Sequence, residues 1–195
     1  MASVPHTKFT RSIIIGLGIY LFISAVISFA NKKYEFLYYT VIMIIIYLFS
    51  FKRLDRMPLS HTSVIGISIV ILMNLLGGFV FIGTTRLYDY WFIFGLLRYD
   101  HLMHFTSSIV ATSIVFDLIH PLLKEFRQRT PILFYLTLVL LVAGLGALNE
   151  VVELGAVVFF DASQNVGTYL NNAVDLVVNF LGAICASIYL AVRRK

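Results

Sequence analysis

Six times along the chain a run of apolar residues grows to nearly the length that crosses a bilayer: Ile13–Ala30, Phe36–Phe51, Ser63–Gly83, His101–Ile119, Ile132–Phe160 and Ala173–Val192. A helix needs about 20 such residues to traverse a hydrocarbon core roughly 30 Å thick. The second run is short, with Tyr34, Lys52 and Arg53 placed to anchor its ends. The fifth is long enough to tilt or protrude. Only 13% of the 195 residues are charged, against about a quarter in a soluble domain. Apolar and polar residues do not alternate with period two, so β-barrel strands are excluded. The expected fold is all-α: a polytopic transmembrane helix bundle of about six spans, forming one integral-membrane domain over residues 1–195.

An even number of spans puts both termini on one side. That side carries Lys8, Arg11, Lys52, Arg53, Arg56, Lys124, Arg127, Arg129, Arg193, Arg194 and Lys195, while the other carries Lys32, Lys33, Arg86 and Arg98. The positive-inside rule then makes the termini cytoplasmic and the chain a multi-pass protein of the cell's inner membrane. The first run, which ends in SFA at Ser28–Ala30, is long for a cleaved signal and is read as a retained helix. Cleavage there would leave the orientation unchanged. Between the third and fourth spans, LYDYWFIFGLL (Leu87–Leu97) is aromatic and too short to cross; it is expected to be interfacial or re-entrant.

The net charge of +5 does not indicate nucleic-acid binding, because the cations sit at the ends of apolar runs. Cys185 is the only cysteine, which excludes disulfides and thiolate metal sites. It is expected to be a small buried hydrophobe.

Against this background the sequence GALNEVVELGA, Gly146–Ala156, is anomalous. A carboxylate at the centre of a spanning helix costs about 2.5–3.5 kcal/mol even on a mild insertion scale, so Glu150 and Glu153 need a counterpart. Two other runs supply one. Span four opens with RYDHLMHF, carrying Asp100, His101 and His104; span six opens with TYLNNAVDLVVNFLGA, carrying Asn171, Asn172, Asp175 and Asn179. All three groups fall toward the outer leaflet. At about 100° per residue, each group occupies one face of its helix, as do Asn149, Glu150 and Glu153. Small residues beside the stripes (Ala143, Gly144, Gly146, Ala147, Gly155, Gly182, Ala183 and Ala186) suit close helix approach.

Glu-x-x-Glu, His-x-x-His and Asp-x-x-x-His place side chains one turn apart, the spacing with which helix bundles hold metals. Imidazole with carboxylate suits zinc, manganese or iron. His104, Glu150, Glu153 and Asp175 are the expected ligands, with Asp100 and His101 as acid or base. Asn149, Asn171, Asn172 and Asn179, together with Trp91 in the interfacial segment, are expected to support the ligands or hold a substrate. The bland alternative is a buried hydrogen-bonded network that fixes helix register. Asp100 and His101 lie near enough to the interface to be merely solvated. Ser107 and Ser108 fit helix–helix hydrogen bonding better than a nucleophile. His6, His61, Asp117 and His120 carry no functional signal.

YDHLMHF, NEVVE and DLVVNFLGA together resemble the YjdF-type family of small prokaryotic inner-membrane proteins, over Tyr88–Ala183. The D-x-x-x-N-x-x-G of the last span also looks like the VanZ-like family. The resemblance implies a polytopic bundle in which Asp100, His104, Glu150, Glu153 and Asp175 recur, and the VanZ likeness points to envelope lipids. Asn171 stands where the pattern leads one to expect an acidic residue.

Three functions compete. The first is a metal-dependent membrane hydrolase acting on a lipid or amphipathic envelope substrate at the outer leaflet. The second is a proton- or cation-coupled small transporter, for which an inverted repeat is missing. The third is a non-catalytic lipid-binding or envelope-resistance protein.

Overall fold

The computed structural model describes residues 8–51, 59–161 and 169–193. Seven α-helices lie among them: α1 (Lys8–Ala30), α2 (Tyr34–Phe51), α3 (His61–Phe79), α4 (Tyr99–Ile119), α5 (Lys124–Arg129), α6 (Pro131–Phe160) and α7 (Tyr169–Arg193). The chain is an all-α polytopic bundle. Five helices are long and apolar enough to cross a membrane, namely α1, α3, α4, α6 and α7; the apolar part of α2, Tyr34–Leu48, is shorter. His6 and the cations Lys52, Arg53, Arg56, Arg194 and Lys195 lie outside the described residues.

Two compact units divide the chain, one comprising Met1–Pro58 with Val151–Gly167, the other Leu59–Glu150 with Thr168–Lys195. In the first, α1 and α2 form a helical hairpin. Its turn is closed by Lys32 at φ +55°, with Lys33 N–H donating to Ser28 O at 2.9 Å. Gly18 lets the Tyr47 ring lie against α1: a β-carbon there would sit 2.7 Å from the phenol oxygen, which donates to Ile14 O at 3.3 Å. The last turns of α6 pack Ala156 against Tyr38 and Tyr39.

In the second unit, α4 is the central element, packed on α3 and along α7. Gly182 makes the second approach possible, since a β-carbon there would meet Phe105 O at 2.5 Å. The first part of α6 joins through larger side chains. Phe134 and Leu138 pack with Phe116 of α4 and Leu190 of α7, and Val139 and Val142 pack with Ala183. The outer flank of α6 leaves Ile132, Leu140 and Leu148 exposed. An apolar surface of this extent is what a membrane-spanning protein offers to lipid.

Helix α3 stops earlier than expected, at Phe79 rather than Gly83. Gly77 and Gly78 weaken its last turn, and the β-prone residues beyond pair instead. β1 (Phe81–Ile82) and β2 (Thr85–Arg86) form a tight hairpin through Gly83 at φ +63°. The connecting segment continues as a 3-10 turn, Leu87–Asp89, and a second hairpin of β3 (Trp91–Ile93) and β4 (Leu97–Arg98) around Gly95 at φ +73°. Leu87 N–H donates to Val80 O at 2.8 Å and Tyr99 N–H to Tyr90 O at 3.0 Å, which ties this segment to the ends of α3 and α4.

Two further expectations change. Cys185 is exposed on α7 rather than buried, because it lies off the helix face that packs on α4. Asp117 is buried and engaged: its Oδ2 accepts from Ser60 N–H at 2.8 Å and from Ser63 Oγ–H at 2.6 Å. It therefore locks the N-terminus of α3, where the helix dipole favours an anion.

Candidate metal centre

The first two turns of α4 and of α7 face each other within the second unit. Arg98 starts α4, and its backbone N–H donates to His101 Nδ1 at 3.3 Å, so the imidazole satisfies a donor that the helix start would leave free. That bond makes Nδ1 the acceptor of a neutral ring and leaves the proton on Nε2, which lies 4.0 Å from Asp175 Oδ1. Trp91 packs edge-on against the same ring at 5.9 Å. The Arg98 guanidinium lies 5.6 Å from the indole centroid.

One turn on, His104 Nε2 is 3.4 Å from Asp100 Oδ1. Its Nδ1 lies 3.2 Å from Asn179 Nδ2 and 4.0 Å from Glu150 Oε1. Asn179 is oriented from α4, because Ser108 Oγ–H donates to its Oδ1 at 2.8 Å. This is the helix–helix bond expected of Ser108. Gly146 admits the same amide, since a β-carbon there would come within 2.9 Å of Nδ2. Gly144, also expected at a close approach, has nothing within 4 Å of its β-carbon position.

Asn171 joins the two acids. Its Nδ2 donates to Asp175 Oδ2 at 2.7 Å and lies 3.4 Å from Asp100 Oδ2, while its Oδ1 accepts from Arg98 Nη1–H at 2.6 Å. Arg98 Nη2 is 3.6 Å from Asp100 and 3.3 Å from Asp89, which in turn pairs with Arg86 at 3.0 Å. A ladder of alternating charge thus leads from the exposed hairpins to the buried acids. The sequence reading missed Arg98 as part of the site, although it is the cation immediately before YDHLMHF.

Burial is deeper than a solvated helix mouth allows. Asp100 is 3% exposed, His101 4% and Asp175 1%. Asp100, His104 and Asp175 each present a ligand-type atom, all within 4.8 Å of one another. Asp100 Oδ1 and both carboxylate oxygens of Glu150 are buried without a well-aligned donor among the described residues, although His104 Nε2 lies 3.4 Å from Asp100 Oδ1. A fold that buries carboxylate oxygens without donors leaves their desolvation uncompensated. The Arg98 guanidinium lies 3.6 Å from Asp100, and a divalent cation would offset the further carboxylates of Asp175 and Glu150.

The remaining expected residues lie around this cluster. Asn172, half-buried on α7, also has a buried carboxamide oxygen without a hydrogen bond among the described residues. Asn149 is exposed on α6. Glu153 follows Glu150 by one turn and belongs to the first unit, where it is partly buried.

All three positions of the D-x-x-x-N-x-x-G pattern contact α4. Asp175 meets His101, Asn179 meets His104 and Ser108, and Gly182 abuts Phe105. In comparison with known proteins, the family described as "Predicted membrane protein (DUF2238)" matches residues 9–195. The chain belongs to this family. No curated protein and no solved structure matches it. The DUF2238 match takes in α1 from residue 9 together with α2 and α3, which the motif resemblance had left out, and every residue of the cluster.

Proposed function

We propose that this DUF2238 member holds a divalent cation between α4 and α7, with Asp100, His104 and Asp175 as ligands. The observation that carries this reading is the approach of those three buried groups within 4.8 Å, one of them with a buried carboxylate oxygen that has no well-aligned donor among the described residues. Ligand atoms around zinc in a tetrahedral site stand roughly 3.3 Å apart, given bonds of about 2.0–2.1 Å. The 3.4 Å between Asp100 Oδ1 and His104 Nε2 already fits. Three protein ligands leave a position open, as in catalytic rather than structural zinc sites. Oxygen and imidazole donors suit zinc, manganese or iron.

Roles shift from the sequence reading on this proposal. Asp100 moves from acid–base to ligand. Glu150, near His104 Nδ1, becomes the carboxylate that orients the ligating imidazole. His101 remains beside Asp175 as the proton-carrying group. Arg98 and Asn171 hold the acids in place, and Trp91 covers His101.

The activity proposed for the site is hydrolysis of an ester or phosphoester in a lipid or amphipathic envelope substrate. A bound cation would supply Lewis-acid polarisation and activated water. The inner-membrane location, the outward opening of the site and the VanZ-like kinship of the last helix are part of the same proposal. They rest on the cation distribution and on Asp175, Asn179 and Gly182. The transporter alternative needs a polar path along α4, and Asp117 at the far end is instead engaged by α3.

Elemental mass spectrometry of the detergent-purified protein, beside an Asp100→Asn/Asp175→Asn variant, tests the site. Near-stoichiometric zinc, manganese or iron is expected in the wild type and none in the variant. Equal metal in both, or none in a folded wild type, refutes it. Incubating the metal-loaded protein with envelope lipid extract and reading the products by mass spectrometry tests the hydrolase activity separately.

A further inference from the structure

The connections at the two ends of α4 differ in what they turn outward. Beyond its C-terminus, α5 exposes Lys124, Glu125, Gln128 and Arg129, as a connection in water does. Before its N-terminus, residues 80–98 are arranged the other way round. Their charged side chains, Arg86, Asp89 and Arg98, are half-buried and paired with one another at 3.0 and 3.3 Å. None of the exposed residues from 80 to 98 is charged; apart from Thr84, Thr85 and two glycines, all are apolar. Phe94 is 92% exposed, Leu96 69% and Phe81 60%. In water such a segment would hide its charges and hydrate its largest side chains, a patch that calls for a partner. We infer that this partner is the lipid leaflet, with both hairpin tips seated at the boundary between headgroups and acyl chains.

Continuity with the spanning surface favours lipid over another protein. Ile65, Ile69, Leu72 and Leu76 are exposed along one stripe of α3, and that stripe runs directly into Val80 and Phe81. Tyr88, Tyr90 and Trp91 gather half-buried in the same segment, and tyrosine and tryptophan are the residues enriched where membrane meets water.

Helix length and backbone pairing set the depth. The 19 residues of α3 rise roughly 28 Å at 1.5 Å per residue, about the thickness of the hydrocarbon core. Its end at Phe79 therefore falls at the boundary rather than within the core. Each hairpin has only two strands, so its outer edges lack a strand partner among the described residues. Such edges are excluded from hydrocarbon but tolerated where water still reaches the backbone. A re-entrant path is thereby ruled out in favour of an interfacial one. Trp91 packs on His101 and Arg98 pairs with Asp100, which fastens the seated hairpin to the acidic cluster whether or not a cation is bound.

Spin labelling of the full chain in phosphatidylglycerol and phosphatidylcholine vesicles, after chelator treatment, tests the docking. Cys185 is the only cysteine, so Cys185→Ser gives a background for Phe94→Cys, Phe81→Cys and, as the water-facing control, Gln128→Cys. Labels at 94 and 81 should collide with oxygen in preference to a water-soluble nickel complex, and the label at 128 should show the reverse. Trp91, the only tryptophan, provides a second reading in the unmodified chain. Its emission should be quenched more by lipids brominated near the headgroup end of the acyl chain than by lipids brominated near the methyl end. Nickel access at 94 and 81 equal to that at 128 overturns the inference, as does strongest quenching by the deep bromines. Labels shielded from both reagents and broadened by a neighbouring spin would put a second copy of the chain on the tips and overturn it too.

Discussion

Helix α4 buries an aspartate near each end, and the fold treats the two oppositely. Asp117 is 6% exposed and receives a backbone N–H and a hydroxyl at the start of α3. Asp100 is 3% exposed, has an oxygen with no well-aligned donor among the described residues and lies beside Asp175. An intramembrane carboxylate is therefore not a functional signal by itself. What separates a lock from a site is whether the fold supplies the donors that the charge requires.

The largest effect should come from the locked end. Asp117→Ala strands two donors at α3 and is expected to cost about 3 kcal/mol or more, read as a lower melting temperature in detergent, with metal content per folded chain unchanged. At the open end, chelation rather than truncation should be the sensitive probe. EDTA is expected to remove about 2–3 kcal/mol from the wild type, the linkage expected near a hundredfold saturation, and nothing from Asp100→Asn/Asp175→Asn. A chelator shift that persists in this variant would mean the cation sits elsewhere.

Smaller changes sharpen the contrast. Gly182→Ala pushes a β-carbon toward Phe105 O and should cost about 1–2 kcal/mol. It spreads α4 from α7, so it should also weaken metal retention, which Asp117 variants should not. Ser108→Ala removes one buried hydrogen bond to Asn179 and is expected to cost about 1 kcal/mol, with the metal still bound. A full loss of metal there would make Asn179 more than a support for His104.

Much of this was legible because helices have a fixed period. Residues one turn apart in YDHLMHF and in DLVVN share a face whatever their surroundings, so the meeting of His104 with Asn179 and of His101 with Asp175 followed once α4 and α7 were paired. The same count of about 100° per residue puts Cys185 off the Asp175–Asn179–Gly182 stripe, and its burial was expected from residue type alone. Arg98 and Asp89 could not be read this way. They reach Asp100 through two hairpins with strands of two or three residues, too short for an alternating pattern to show. Asp117 was passed over because its donors lie 57 and 54 residues away in sequence, joined to it only by the packing of α3 on α4.

The central claim is that the open end of α4 binds a divalent cation and the locked end does not. Calorimetric titration of zinc or manganese into chelator-stripped protein, compared across wild type, Asp117→Asn and Asp100→Asn/Asp175→Asn, tests it most directly. One ion per chain should bind to the wild type and to Asp117→Asn, and none to the double variant. Binding that survives in the double variant, or no binding to a folded wild type, would contradict the account.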